Sequence, residues 1–355
     1  MRPNFLFWNN HLTYEKRIRS IYVGSFLHEK VCEASVVSSY DFFSKKYSDL
    51  NNLVNAIEMK KIPRPNAIVR REEHGRYWAQ SPEWKTLIRW CYSMDILPMS
   101  FDFGYFNHYN TLMVDIYTQD GTSNILSDWS NISEEVDWSK APKYVQKYRN
   151  DFLKTLNKCK EEKPINNLKS GEYVVIWMQS FLDLLRPEFK SSEWCTDTEV
   201  SDWINKVIEV VLSSGLTPVI KGCTGFWRRF DHSSINNAII FTSDKHQKEI
   251  CPTGKFEKNL NAKLIAHAKY HIVSHSSVTN ELVLANAPIV AMGQSWFTGL
   301  GVFNEPATWD TLLINPMEIN IQNRNKWINW WLTRQVDEEK IIPKLIEMYK
   351  KYKHE

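Results

Sequence analysis

The sequence predicts an α/β protein of two domains, the second of them doubly wound. Three observations lead there. The chain has 355 residues, more than one typical hydrophobic core serves. Short apolar runs alternate with amphipathic helical stretches through the C-terminal half. The pattern restarts just after Pro164. That restart divides the chain into an N-terminal domain at 1–165, a C-terminal domain at 166–335 and a last helix at 336–355, expected to pack back on the first domain.

The N-terminal half is the less regular. Ser20–Val23 and Ala34–Ser38 read as strands, Tyr47–Ile57 and Trp84–Tyr92 as helices, and Leu112–Tyr117 as extended. Pro63 and Pro65 hold Ile62–Asn66 in an extended loop, because a proline drives the residue before it away from the helical region. A charged helix, Lys143–Lys163, closes this half.

Beyond the Pro164 break, Tyr173–Trp177 is a β-rich apolar run of the kind found in a buried parallel strand. Between Glu199 and Ser214, apolar residues recur at helical spacing: Val200, Trp203, Ile204, Val207, Ile208, Val211 and Leu212. Gly215 ends that helix, and Leu216–Ile220 reads as the next strand. Strand, helix, strand is the unit of a parallel sheet. It recurs as strand Ala238–Thr242, helix Leu260–Ala268, strand Tyr270–Ser274, helix Val278–Asn286 and strand Pro288–Met292.

Composition narrows the functions. The chain is 43% hydrophobic and 24% charged, a folded rather than a disordered balance. No apolar run reaches membrane-spanning length, and the first residues lack the apolar core of a secretory signal. The expectation is a cytoplasmic protein, in a host cytoplasm if viral, with no insertion into membranes. Six cysteines are scattered without metal-ligand spacing, consistent with reduced thiols. A net charge of +3 leaves any attraction for an anion to local groups.

Two segments carry candidate chemistry. In the first, a strand ends at Ser274, a small polar turn His275-Ser276-Ser277 follows, and a helix with Glu281 one turn inside begins. Open N–H groups at a helix start, with serine hydroxyls beside them, form an anion site suited to a nucleotide phosphate. Glu281 then lies where it reaches ribose hydroxyls. The same pattern fits a serine N-cap with an acid favoured by the helix dipole. The second segment, Lys60–Arg89, has eight basic against three acidic side chains, with Tyr77, Trp78 and Trp84 interleaved. Arg70, Arg71, Arg76, Trp78 and Trp84 there fit a phosphate backbone and an unstacked base. They fit better still a solvated charged face with a few core aromatics.

The stretch His271–Gly301 resembles the donor-binding region of GT-B glycosyltransferases, above all the capsule-polysaccharide, Kdo-transferase-like group. Ser276-Ser277, Glu281, Pro288-Ile289-Val290, Gly293, Trp296-Phe297 and Gly299-Leu300-Gly301 occur in that group's order. Val174–Gln179 with Asp183 resembles its first C-domain strand, and Val219-Ile220-Lys221 a strand ending in lysine. Gly222-Cys223-Thr224 stands where the family usually continues Pro-His-Pro. In the N-terminal half, Ser100–Asn124 resembles the family's acidic-Gly-Tyr segment. Asp102 lies at a functional carboxylate, with Gly104-Tyr105, Asp115, Gly121 and Asn124 in step, and Phe103 replaces a frequent second acid.

The resemblance implies two Rossmann-like domains facing across a cleft and transfer of a sugar from a nucleotide of the UDP or CMP type to an acceptor hydroxyl. Lys221, Ser274, Ser276, Ser277, Glu281 and Gly293 would bind the donor. Asp102, or failing it His108, would take the acceptor's proton. The departing phosphate would be met by protein groups rather than a metal. The acceptor is open at this point. The basic segment favours hydroxymethyl-pyrimidine bases of phage-type DNA, held by Arg70, Arg71, Arg76, Trp78 and Trp84. The resemblance favours a capsule or surface glycan. A third class is a non-catalytic carbohydrate- or nucleotide-binding protein on the same fold, since fold alone does not fix function.

Overall fold

The computed structural model describes residues 5–8, 50–61, 64–71, 82–103, 105–106, 111–119, 124–165, 168–178, 189, 197–242, 245–274, 276–293, 297–337 and 340–353. It divides into two compact units, Met1–Gln146 with Ile328–Glu355, and Lys147–Trp327. Each unit has its own sheet, so the chain is α/β twice over. No helix among the described residues is long and apolar enough to cross a membrane.

The first unit is built on strands β1 (Phe5–Trp8), β2 (Ala67–Arg71), β3 (Leu97–Phe103), β4 (Thr111–Ile116) and β11 (Gln335–Asp337), in the order β1-β2-β3-β4-β11. The first three run parallel; β4 and β11 are antiparallel to their neighbours. Alternation along each strand gives the sheet two apolar faces. Ala67, Val69, Leu97, Met99, Phe101, Leu112 and Val114 pack against Ile341, Leu345 and Met348 of the C-terminal helix α11 (Ile341–Tyr352). Ile68, Ile96 and Tyr117 pack with helices α1 (Leu50–Glu58) and α2 (Pro82–Ser93) on the other side.

The basic segment therefore includes a central strand. Ala67, Ile68 and Val69 are fully buried between β1 and β3. The strands expected at Ser20–Val23 and Ala34–Ser38 lie outside the described residues. β3, also not foreseen, places the backbone of Asp102 opposite Met113 of β4.

One polar contact set ties the C-terminal segment into this unit. The short helix α3 (Ile125–Asp128) precedes the long helix α4 (Lys143–Glu161). The Asp337 carboxylate, on β11, accepts the N–H groups of Lys143 and Tyr144 at 3.2 Å each, satisfying two orphan donors at the start of α4. Gln335 likewise accepts from the Phe106 N–H at 3.1 Å and donates to Thr111 Oγ1 at 2.6 Å.

The second unit is the doubly wound domain. Strands β5 (Tyr173–Met178), β6 (Thr217–Gly222), β7 (Ile239–Thr242), β8 (Lys255–Phe256), β9 (Tyr270–Val273) and β10 (Ile289–Ala291) are all parallel, in the order β10-β9-β5-β6-β7-β8. Each strand and helix expected from sequence is present, shifted by one or two residues at its ends; β8 was not among them. Helix α5 (Asp197–Ser213) buries Trp203, Ile204, Val207, Ile208 and Val211 against Val174, Ile176, Ile220, Ile240 and Ile272. The next helices are α6 (Thr224–Arg229), α7 (Lys245–Ile250), α8 (Leu260–His267), α9 (Thr279–Leu284) and α10 (Ile321–Arg334).

The departure Gly222-Cys223-Thr224 has a steric basis. A Cβ on Gly222 would stand 2.6 Å from both Phe226 Cδ1 and Trp227 Cε2. These two rings of α6 fold back onto the end of β6, where Trp227 Nε1 donates to the Gly222 carbonyl at 3.1 Å. Only a residue without a side chain leaves room for them.

Candidate donor site at the switch point of the parallel sheet

In the second sheet β5 has β6 on one side and β9 on the other. The chain winds outward from β5 through β6, β7 and β8, then returns to β5's opposite edge with β9. The winding direction reverses there, and ligands of open α/β sheets bind outside the carboxyl ends of the strands at such a reversal. Lys221 of β6, Trp177 of β5 and Val273 of β9 form one row across the sheet near those ends. Ser274, Ser276 and Ser277 follow β9, and Gly293 follows β10. The expected donor residues thus gather at one edge from widely separated stretches of chain.

Ser274 is fully buried and its Oγ has no hydrogen-bond partner, which is costly for a hydroxyl and points to an unmet acceptor or donor at this edge. Ser276 is buried and Ser277 exposed. The turn itself differs from expectation. Ser276 Oγ accepts the Val278 N–H at 3.3 Å, and the Ser276 carbonyl accepts the Thr279 N–H at 3.0 Å. The Ser277 carbonyl takes the Asn280 N–H at 3.2 Å, and Asn280 Oδ1 takes the Glu281 N–H at 2.8 Å. These four amides are satisfied inside the turn and are not the open anion cradle that the serine pattern predicts. The reason is local: Ser276 and Asn280 compete for backbone donors and delay the helix to Thr279.

Glu281 lies at the centre of a polar cluster. Its Oε1 accepts from Tyr148 Oη of α4 at 3.2 Å, and its Oε2 from Asn261 Nδ2 of α8 at 2.9 Å. Burial pushes the carboxyl above its ordinary range, while the bonds from Asn261 and Tyr148 and the charge of Lys221 draw it part of the way back. Desolvation also drives the Tyr148 phenol upward, with the Glu281 charge adding to it, so this tyrosine acts as a hydrogen-bond donor at any ordinary pH.

Two residues beneath the edge carried no sequence signal. His271 is fully buried on β9, and Trp177 Nε1 donates to its Nδ1 at 3.2 Å. Burial, with the charge of Arg324 adding to it, pushes its pKa down to about 3. The ring is therefore neutral, with its proton on Nε2. A histidine inside an apolar strand is seen as unusual only once the strand is known to be covered on both faces.

The remaining candidates are less defined. Asp102 lies on β3, with only its backbone described. His108 lies outside the described residues, as do Arg76 and Trp78. Arg70, Arg71 and Trp84 are described in their backbones alone, on β2 and α2. The turn glycine Gly121 and its neighbour Asp120 are likewise outside. Asp115 is buried and paired with Arg334 at 3.2 Å, which makes it part of the first unit's core. No cluster of His, Cys, Asp or Glu among the described residues has the spacing to hold a metal ion.

No family model matches the chain, and no curated protein of similar sequence does. Solved structures show distant likenesses. One is the beta Kdo 2,7 transferase of Thermosulfurimonas dismutans KpsC, 9% identical at a TM-score of 0.45, over 97% of this chain and 99% of that one. Another is the beta Kdo 2,4 transferase of the same organism's KpsC, 10% identical at a TM-score of 0.44, over 92% and 89%. A third is the UDP-GlcNAc 2-epimerase of Methanocaldococcus jannaschii, 9% identical at a TM-score of 0.29, over 90% and 89%. Likenesses at this level carry no argument about what this chain does, which rests on its own residues.

Proposed function

We propose that the protein is a glycosyltransferase that takes a sugar from a UDP- or CMP-type nucleotide and attaches it to a hydroxyl of a capsule or surface glycan. One observation carries the reading. Lys221, Ser276, Glu281 and Gly293, matched to the family's donor motifs in sequence, lie with Ser274 at the switch-point edge of a parallel sheet, where nucleotides bind in folds of this class. The glycan acceptor follows from the capsule-type motifs. A DNA acceptor rested on Arg70, Arg71, Arg76, Trp78 and Trp84, of which Arg76 and Trp78 lie outside the described residues and the others are described in their backbones alone.

The chemistry needs few groups. The acceptor oxygen bonds to the anomeric carbon of the donor as the bond from that carbon to the phosphate oxygen breaks, and the nucleotide leaves with the electron pair. Lys221 supplies a positive charge for the departing phosphate. Ser274 Oγ, buried with nothing to bond, is a further donor at the same edge. Asp102 receives the acceptor's proton. The phosphate is met by side chains in this scheme, without a metal.

Glu281 takes the ribose hydroxyls in this reading. Glu281→Ala is expected to weaken UDP or CMP binding by about 1–3 kcal/mol, the loss of a charge-assisted hydrogen bond. Isothermal calorimetry on both proteins measures it, alongside a product assay with a panel of sugar nucleotides and glycan acceptors. Unchanged affinity in a folded variant removes Glu281 from the donor site. Absence of any nucleotide binding by the native protein removes the transferase reading.

A further inference from the structure

We propose that Tyr148 and Asn261 are positioning residues that aim the Glu281 carboxylate at the ribose of the nucleotide, and so set the preference for a ribonucleotide over its deoxy form. This rests on the donor reading above. Tyr148 comes from α4, Asn261 from α8 and Glu281 from α9. Three separate helices therefore converge on one carboxyl group. Each carboxylate oxygen has two lone-pair directions, and each here accepts one bond, from Tyr148 at 3.2 Å and from Asn261 at 2.9 Å. The second direction on each oxygen remains for a ligand. Two hydroxyls side by side, as on the 2′ and 3′ carbons of ribose, match two adjacent acceptors.

The cost of the arrangement argues that it serves more than packing. The asparagine amide must turn its Nδ2 toward the carboxylate, since the opposite flip would set two acceptors together. That choice leaves Asn261 Oδ1 buried with no donor. An unmet buried acceptor is unfavourable, and a contact that only pinned α8 to α9 would be served as well by apolar side chains. Locally unfavourable groups that persist in a well-packed unit are characteristic of functional sites. The Glu281 backbone is held as well, because Asn280 Oδ1 accepts the Glu281 N–H at 2.8 Å. With both carboxylate oxygens already bonded, little side-chain freedom is left to lose when the ribose arrives.

The experiment compares UDP and CMP with their 2′-deoxy forms by calorimetry, using the full chain and the variants Tyr148→Phe, Asn261→Ala and Glu281→Ala. Tyr148→Phe keeps the ring and removes only the hydroxyl, so packing is retained. The native protein is expected to favour the ribonucleotide by about tenfold or more, the effect of one good hydrogen bond. Glu281→Ala abolishes that preference. Tyr148→Phe and Asn261→Ala each reduce it by about threefold or more, on the same scale, while affinity for the deoxy form stays unchanged. A purely structural role would weaken both nucleotides alike and leave the ratio intact. If the ratio survives in both variants but is lost in Glu281→Ala, the positioning role is overturned and the donor reading stands. If the native protein shows no ribose preference, or binds neither nucleotide, the proposal falls, and in the second case the donor reading falls with it.

Discussion

Replacing Arg334 with methionine is expected to destabilise the first unit by about 3–5 kcal/mol, the cost of breaking a buried ion pair from one side. Arg334 is 3% exposed. Its Nε donates to Asp115 Oδ1 at 3.2 Å, and its Nη2 to Asp128 Oδ2 at 2.6 Å, to Asn124 Oδ1 at 3.1 Å and to Tyr352 Oη at 2.7 Å. The guanidinium also lies 4.6 Å from the centre of the Trp330 ring. Asp115 is 1% exposed and would lose its guanidinium partner in the core. Hydrogen exchange of the β4 amides reads the loss directly, because opening of this unit exposes them. Most of the loss should return in Arg334→Met combined with Asp115→Asn, since a buried carboxylate that has lost its guanidinium is the larger cost. A double variant as unstable as the single one would show that packing, not charge, is at stake.

The same network gives an acid-sensitive stability. Burial raises the pKa of Asp128, but hydrogen bonding from Tyr352 and the charge of Arg334 outweigh it, and the carboxyl ends below its ordinary 3.8. A depressed folded value means that this stabilisation is complete above the unfolded value and is lost as pH falls through the folded one. Unfolding of the first unit followed by circular dichroism should therefore show added acid sensitivity below about pH 4, where an unperturbed aspartate takes up its proton. Asp128→Asn should remove that component; an identical acid limb in the variant would assign it to other carboxyls.

The two units were not equally legible in the sequence. β5, β6 and β9 are largely buried and read as short runs rich in apolar residues, with Gly171 and Gly215 in the left-handed region at φ 77° and 74° marking where two of them begin. Their order in the sheet then fixed the switch point. In the first unit β2 offers three apolar residues before two arginines, and β3 carries Pro98, Ser100 and Asp102 in its seven residues. Both are central strands because of their neighbours rather than their composition. β11 pairs with β4 across the length of the chain, and Arg334 meets Asp115 from 219 residues away. No local pattern carries such a pairing. At the site, Glu281 was visible from its place after the serine turn. Tyr148 and Asn261 were not, since each is an ordinary polar residue on its own helix and gains meaning only where the helices converge.

Asp102→Asn is expected to lower turnover by about a hundredfold or more while leaving nucleotide affinity unchanged, as for loss of a general base. The substitution keeps size and shape and removes only the ability to take a proton. An acceptor hydroxyl attacking a sugar carbon becomes strongly acidic as the new bond forms, and a positioned carboxylate takes that proton in the transition state. Asp102 sits near the end of β3, where its backbone pairs with the antiparallel β4, Met113 directly opposite. A base on a strand end is fixed in position by the sheet, which a base on a loop is not. Nucleotide binding belongs to the second unit in this reading, so calorimetry and turnover should separate cleanly. Turnover in the native protein should also persist with a chelator present if, as proposed, Lys221 and Ser274 rather than a metal face the phosphate. Normal turnover in Asp102→Asn removes this residue from the mechanism. If His108→Gln then abolishes it, the proton passes to the histidine.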